Sequence, residues 1–442
     1  MARPLQILLL CDYRDDIAAT VREHVDALTQ YSQHCVRHVS ILGDLPRRLD
    51  LNHFDAVVIH YSLIACHNAY VSAAARTALG EFGGLKAIFI QDEYRFVDAT
   101  IAAMQEIGID VLFTCVPEAE IEKVYPSMRL PGVTKVSVLT GYVPEHLLSK
   151  KVLPFSRRPV DVGYRARKVP AWLGDLGQEK YQIGKRFQED AAPDKLALDF
   201  SFREEDRIYG EAWIDFVASC KAMLGVESGA SVFDFTGEIQ RQVENHSRRE
   251  PGVAFGELKR RYFAEAEGKI RLNQISPRCF EASALRTLLI LYEGDYSGRM
   301  QPWRHYVPLR KDHSNHLEVV SVLKDGERAK AIIDAAYREV ACDPANSYRA
   351  MVGQFDEAIR TAFREHQKAP LAALDDRELA RFAAPGLIVM RRKATRKLTE
   401  KAYRFLFSTL LGSASAETRD VVHGWLNYLS RPLRVVVRWI RS

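Results

Sequence analysis

The chain of 442 residues has no Cys-x-x-Cys pair; its seven cysteines, Cys11, Cys35, Cys66, Cys115, Cys220, Cys279 and Cys342, are odd in number and scattered. That pattern offers neither a zinc site nor a disulfide framework, and it points to a reducing, cytoplasmic setting. No apolar run reaches the roughly 18 to 20 residues that a membrane-spanning helix needs. There is little net charge either: +5, with both signs interspersed, which gives no reason to expect nucleic acid as a partner. Internal repeats and low-complexity tracts are also missing. The opening MARPLQILLLCDYRDD carries a short apolar run that soon ends in charge, so it reads as a first β-strand and not as a signal peptide. What is present is an ordinary globular composition, 47% hydrophobic and 27% charged.

Short apolar runs alternate with stretches of helical period. LQILLLCDY, CVRHVSIL, DAVVIHYS, KAIFIQDE, DVLFTCV and VSVLTGYV read as strands of a parallel sheet buried on both faces. A first doubly wound α/β domain is therefore expected over residues 1–145. The basic, proline-containing stretch HLLSKKVLPFSRRP reads as a linker, 146–160. The alternation then restarts, with a long charged helix expected around ELKRRYFAEAEGKI, and predicts a second Rossmann-like domain over 161–335. Two such domains face each other across a cleft, and parallel sheets bind ligands beyond the carboxyl ends of their strands. Residues 336–368 hold a helix packing back across the domains, with Asp343 as its cap and Pro344 in its first turn. A basic helical tail follows, 369–442; from Met390 onward 12 Lys and Arg stand against 3 Asp and Glu.

Two segments could carry chemistry. In SPRCFEASALRTLLILYEGDYSG, Asn273 to Arg278 is expected as a loop and Cys279 as the start of a helix whose free N–H groups suit an anion. Arg278 has the bidentate geometry for phosphate, and Glu281, placed in the first turn, is suited either to a ribose diol or to plain helix capping. After the strand TLLILY comes a glycine-bounded loop with Glu293 and Asp295. The second segment is VDVGYRARKVPAWLGDLGQEK, where a strand ends near Gly163, Arg165 and Arg167 emerge, and Lys180 precedes a helix. Basic groups there would stabilise a departing pyrophosphate; a solvated basic loop is the other reading.

VGYRAR...QEK resembles the segment that opens the donor domain of GT-B glycosyltransferases. NQISPRCFEASALRTLLILYEG resembles their E-x7-E segment, and SPRCFEA, LGVESGASVFDF and GDYSG are similar to CgeB-like and group-1-like members. The resemblance has motif support from Asp161 to Asn315. It implies a nucleotide-sugar donor, with Glu281 on the ribose, and Gly163, Arg165, Lys180, Ser276 and Arg278 around the nucleotide and its pyrophosphate. Asn273, standing where the first glutamate is expected, would meet the donor sugar together with Glu227 and Ser228.

The implied activity is transfer of a sugar to a glycan or lipid-linked acceptor in bacterial surface polysaccharide assembly, with retention. Should the reaction invert, a base must come from the first domain, and His60, Asp92 and Glu93 at strand ends are the candidates. No cofactor or metal is implied, since DYRDD does not supply the Asp-x-Asp context of metal-dependent GT-A enzymes. The tail, 390–442, could contact the inner membrane face peripherally or pack on the protein itself. Asn273 keeps open a non-catalytic nucleotide-sugar or glycan-binding protein, and an epimerase or hydrolase on the same fold is a further alternative.

Overall fold

The computed structural model describes residues 3–14, 17–363 and 371–383. Six strands, β1 (Gln6–Cys11), β2 (Cys35–Ser40), β3 (Ala56–Ile59), β4 (Leu85–Ile90), β5 (Val111–Thr114) and β6 (Thr134–Ser137), form one sheet in the order β2-β1-β3-β4-β5-β6. Every pairing is parallel. Continuous apolar runs produce this result because helices cover both faces, so β1, β3 and β5 are buried nearly throughout.

Five more strands, β7 (Val160–Arg165), β8 (Leu198–Ser201), β9 (Cys220–Gly225), β10 (Leu288–Tyr292) and β11 (Val307–Leu309), form the second sheet in the order β11-β10-β9-β7-β8, again all parallel. The architecture is thus two doubly wound, Rossmann-like domains. Strand β11 contains Pro308 and occupies the sheet edge, where a residue without an N–H is tolerated; its short run gives no periodic signal.

Several local expectations change. The helix after the Asn273 loop starts at Pro277, not Cys279, and has no acidic residue in its first turn, so Glu281 lies beyond it. The long charged helix is instead a turn at Phe255–Leu258 and a π-helical segment, Lys259–Phe263. It stops because Phe263 is buried and Gly268, at φ +71°, turns the chain so that its N–H donates to the Ser231 carbonyl at 2.7 Å. Asp343 caps a short 3₁₀ turn at Pro344–Asn346, while Ser347 caps the helix Tyr348–Ala362. That helix packs Met351, Phe355 and Ile359 into the core of the first domain. Of the basic tail, the described part is 371–383, which holds a helix at Asp376–Phe382 closed by an Asp375–Glu378 capping box; the remainder, including 390–442, lies outside the described residues.

The stretch between the domains is anchored. Arg158 is buried, and its guanidinium donates to the carbonyls of Leu153, Cys220 and Leu285 at 2.9 to 3.0 Å and to the Thr287 hydroxyl at 2.7 Å. Burial lowers its pKa to about 10, so it stays charged at neutral pH. The domains also share backbone bonds: the Asp234 N–H donates to the Tyr94 carbonyl at 2.8 Å and the Phe96 N–H to the Asp234 carbonyl at 2.9 Å. Phe233, Ile270 and Leu272 from the second half of the chain enter the core of the first domain.

Arg158→Ala removes four charge-assisted donors and leaves buried carbonyls unsatisfied. The expected loss is about 3 kcal/mol, seen as a lower urea midpoint; a midpoint equal to wild type would show the anchor to be dispensable.

Candidate functional site

The connections from β7 run to opposite sides, to β8 and, beyond it, back across to β9. Such a reversal leaves a crevice at the carboxyl ends of the two strands, and a cleft of about 500 Å³ opens there. The second domain lines it with Arg165, Lys180, Ser228, Ser276, Arg278 and Glu281, and the first domain contributes Asp92, Tyr94 and the chain at 18–20. Arg165 and Arg278, 113 positions apart in sequence, thus converge because a strand end and a helix start meet at one edge of the sheet.

Arg165 ends β7, and its guanidinium donates to the Asp199 carbonyl and, at 2.8 Å, to its carboxylate, while stacking 4.2 Å over the Phe216 ring. It is therefore already paired. Its backbone carbonyl accepts from Arg278 at 2.7 Å, so Arg165 positions Arg278. Arg278 in turn lies 4.9 Å over the Trp213 ring. Lys180, expected ahead of a helix, lies inside the helix Gly174–Asp190, which starts earlier at Gly174 and whose backbone is tied to β7 by the Tyr164 hydroxyl donating to the Lys180 carbonyl at 2.6 Å. Burial lowers the Lys180 pKa, the charges of Arg278 and Arg167 lower it further, and Asp92 partly offsets them. Among the described residues, no carboxylate forms an ion pair with its ammonium. An anion entering the cleft would relieve that imbalance.

Glu281 is buried and accepts from the Trp213 indole N–H at 2.8 Å. Burial raises its pKa, while the Trp213 bond and the Arg278 charge work the other way. Plain capping does not explain it, since the helix N–H groups are not its partners. Trp213 thus joins the cation to the carboxylate and had no motif to announce it; the one available signal was a tryptophan on the helix EAWIDFVAS, whose N–H needs a partner when buried.

Other expected residues fall elsewhere. Gly163 does not line the cleft: a Cβ there would meet Cys220 Sγ at 2.4 Å, so packing dictates the glycine. Glu227 is buried and accepts from the Asn273 amide at 2.7 Å and from the N–H groups of Asp295 and Tyr296 at 3.1 and 2.9 Å. Neither Glu227 nor Asn273 borders the cleft, whereas Ser228 does. His60 is fully buried, hydrogen-bonded to His24 at 3.1 Å and to Ser62, with its pKa lowered by burial and by His24. Glu93 is buried against the Thr114 hydroxyl and the Cys115 N–H. Both are sealed in the first domain and out of reach of a cleft ligand. Asp92 alone of the three borders the cleft; it adopts φ +60°, a strained conformation for a non-glycine residue, and accepts from the Tyr94 hydroxyl at 3.2 Å. Among the described residues, no group of three or more His, Cys, Asp or Glu side chains is placed to hold a metal ion, and no helix is long and apolar enough to cross a membrane.

No protein-family model and no curated protein matches the sequence. Among solved structures, an α-glucosyltransferase in complex with UDP-glucose and abasic DNA is 12% identical, with 80% of this chain and 100% of that one covered and a TM-score of 0.48. A glycosyltransferase from Rickettsia africae ESF-5 is 10% identical over 82% of this chain and 100% of its own, at 0.47. Anabaena HepE in complex with UDP is 8% identical over 80% and 100%, at 0.44. At such distances the chemistry must be read from this chain's own residues.

One pH dependence follows. Burial pushes Glu93 up to about 7, and burial together with the charge of Glu281 does the same to Glu23, one turn beyond Thr20. Between the ordinary carboxyl range and about 7 the folded protein holds protons that the unfolded chain has released, so stability falls as pH rises through that window. Thermal unfolding from about pH 5 to about pH 8 should show this decline, and Glu93→Gln should flatten it; an unchanged slope in the variant would refute the assignment.

Proposed function

We propose that this chain is a glycosyltransferase that binds a sugar nucleotide in the cleft between its two domains. The observation that carries the reading is the partnerless Lys180 ammonium, held beside Arg278 and Arg167 at the carboxyl end of a parallel sheet. Such a group asks for a diphosphate, and Glu281, in the same cleft and fixed by Trp213, is placed to accept from the ribose hydroxyls. The GT-B resemblance of residues 161–315 supports the same assignment of these positions.

In the reaction, the bond from the anomeric carbon to the diphosphate oxygen breaks and its electron pair stays on that oxygen. The cations Lys180 and Arg278 stabilise the charge that develops there. The acceptor hydroxyl oxygen bonds to the anomeric carbon and gives up its proton. With retention, the departing phosphate takes that proton; with inversion, Asp92 is the carboxylate bordering the cleft that takes it. The acceptor in this reading is a glycan or lipid-linked glycan of a bacterial surface polysaccharide, and the basic segment 390–442 is its membrane-side contact. These last assignments rest on the resemblance and on the charge of that segment.

A second reading is a binding protein without turnover. It is favoured by the Asn273 amide, which is engaged with Glu227 and does not border the cleft.

Calorimetric titration with nucleoside diphosphates, UDP, GDP and CDP, against the matching nucleosides tests the reading. A diphosphate should bind more tightly than its nucleoside, and Lys180→Ala should weaken the diphosphate by about tenfold or more while sparing the nucleoside. Glu281→Ala should weaken both alike. Equal affinity for diphosphate and nucleoside would overturn the proposal. Turnover of the matching sugar nucleotide then separates enzyme from binding protein, and Asp92→Asn separates the two proton routes: a loss of about a hundredfold marks the carboxylate as base, and a near-normal rate leaves the proton to the phosphate.

A further inference from the structure

A second cavity, of about 420 Å³, lies on the other side of the ribbon that carries the cleft's Ser228 and Ser276. The ribbon is formed where Ser228 and Gln274 exchange backbone hydrogen bonds at 2.7 and 2.9 Å. Asn273 and Gln274 border this second cavity, and Ser228 borders the first. The remaining lining comes from three separate parts of the fold. Glu118 and Ser137 follow or end strands of the first sheet, Asp295 and Arg299 belong to the loop after β10, and Gln354 comes from the helix Tyr348–Ala362.

The chemistry of the lining selects a ligand class. Arg299 is half-buried, and among the described residues its side chain forms no ion pair or hydrogen bond; the carboxylates of Glu118 and Asp295 form none either and are exposed at the cavity's rim. Two carboxylates against one guanidinium do not suit a phosphate. Val138, Leu139 and Tyr142 stand among these polar groups, and such a mixed lining suits a ligand with polar edges and apolar faces better than a lipid tail. A saccharide fits both facts, because each of its hydroxyls donates and accepts: carboxylates accept from them, and the Arg299 guanidinium and the Gln354 amide donate to them. The volume is in the range of small-ligand sites. We propose that this cavity is a saccharide-binding site, separate from the nucleotide cleft and joined to it through the ribbon of Ser228 and Gln274.

The site does not depend on the donor reading for its existence, but it gives that reading a consequence. Gln274 donates to the Cys115 carbonyl of the first domain and accepts from the Ser297 hydroxyl at 3.0 Å, and Asn273 holds Glu227. A sugar on this side therefore bears on residues that fix the cleft's own wall. The saccharide could be part of the acceptor glycan or a free sugar, and both share the recognition chemistry.

Saturation-transfer NMR on the full chain with lactose, cellobiose and N,N'-diacetylchitobiose tests the site. At least one disaccharide should give a saturable signal that persists with the tightest-binding nucleoside diphosphate at saturation. It should fall by about tenfold in Arg299→Gln and in Gln354→Ala, both of which should melt with wild type because neither side chain is in the core. No signal from any of the three, a signal displaced by the nucleotide, or a signal retained in both variants would overturn the proposal. Recovery of the disaccharide with one added sugar after incubation with a sugar nucleotide would identify it as acceptor; unmodified recovery would identify a free-sugar site. Nucleotide binding measured on the same samples keeps the two ideas apart, since loss of either leaves the other standing.

Discussion

A half-buried ammonium beside two guanidinium groups is the constraint on which this structure turns. The backbone of Lys180 is tied to β7 through Tyr164, and Arg278 is held by the Arg165 carbonyl and the Trp213 ring. Like charges kept together cost stability in the empty protein, as buried charge does generally. A protein keeps such an arrangement where a ligand compensates it. Pairing of Arg165 with Asp199 leaves that cation neutralised, and so the deficit concentrates on Lys180 and Arg278.

The rest of the fold fixes what faces this deficit. Tyr94 and Phe96 bond to Asp234, and Gln274 reaches the Cys115 carbonyl, so the segment between β9 and the helix Pro277–Ala284 fastens the second domain onto the first. Asp92 and Tyr94 are thereby brought to the opposite wall of the cleft. The same segment forms the ribbon that parts the two cavities. Closure of the domains and shaping of both sites are consequences of one stretch of chain, and a change in either should be felt in the other.

Much of the architecture could be read from the residues. The central strands of the first sheet are continuous apolar runs, and a run such as ILLL can be satisfied only by burial on both faces, while the edge strands CVRHVS and TKVS are mixed. Arg165 and Arg278 were legible because a strand end and a helix start are where parallel sheets place ligands, whereas Lys180 and Glu281 reach the cleft from inside their helices. What escaped the reading depends on tertiary contacts. His60 and Glu93 end apolar strands just as Asp92 does, and nothing local says that one side chain turns outward while two turn into the core. Trp213 has no motif and acquires its meaning from Glu281, 68 positions away. The partnership of Asn273 with Glu227 is equally distant from any sequence pattern, and it removes both from the cleft.

The central claim is that a bound diphosphate supplies the missing negative charge at Lys180. Its most direct measure is the titration of the Lys180 side chain by heteronuclear NMR, with and without a saturating nucleoside diphosphate. The account predicts a depressed pKa in the free protein that rises when the diphosphate binds and stays put with the nucleoside alone. A Lys180 that titrates identically in all three states would contradict it.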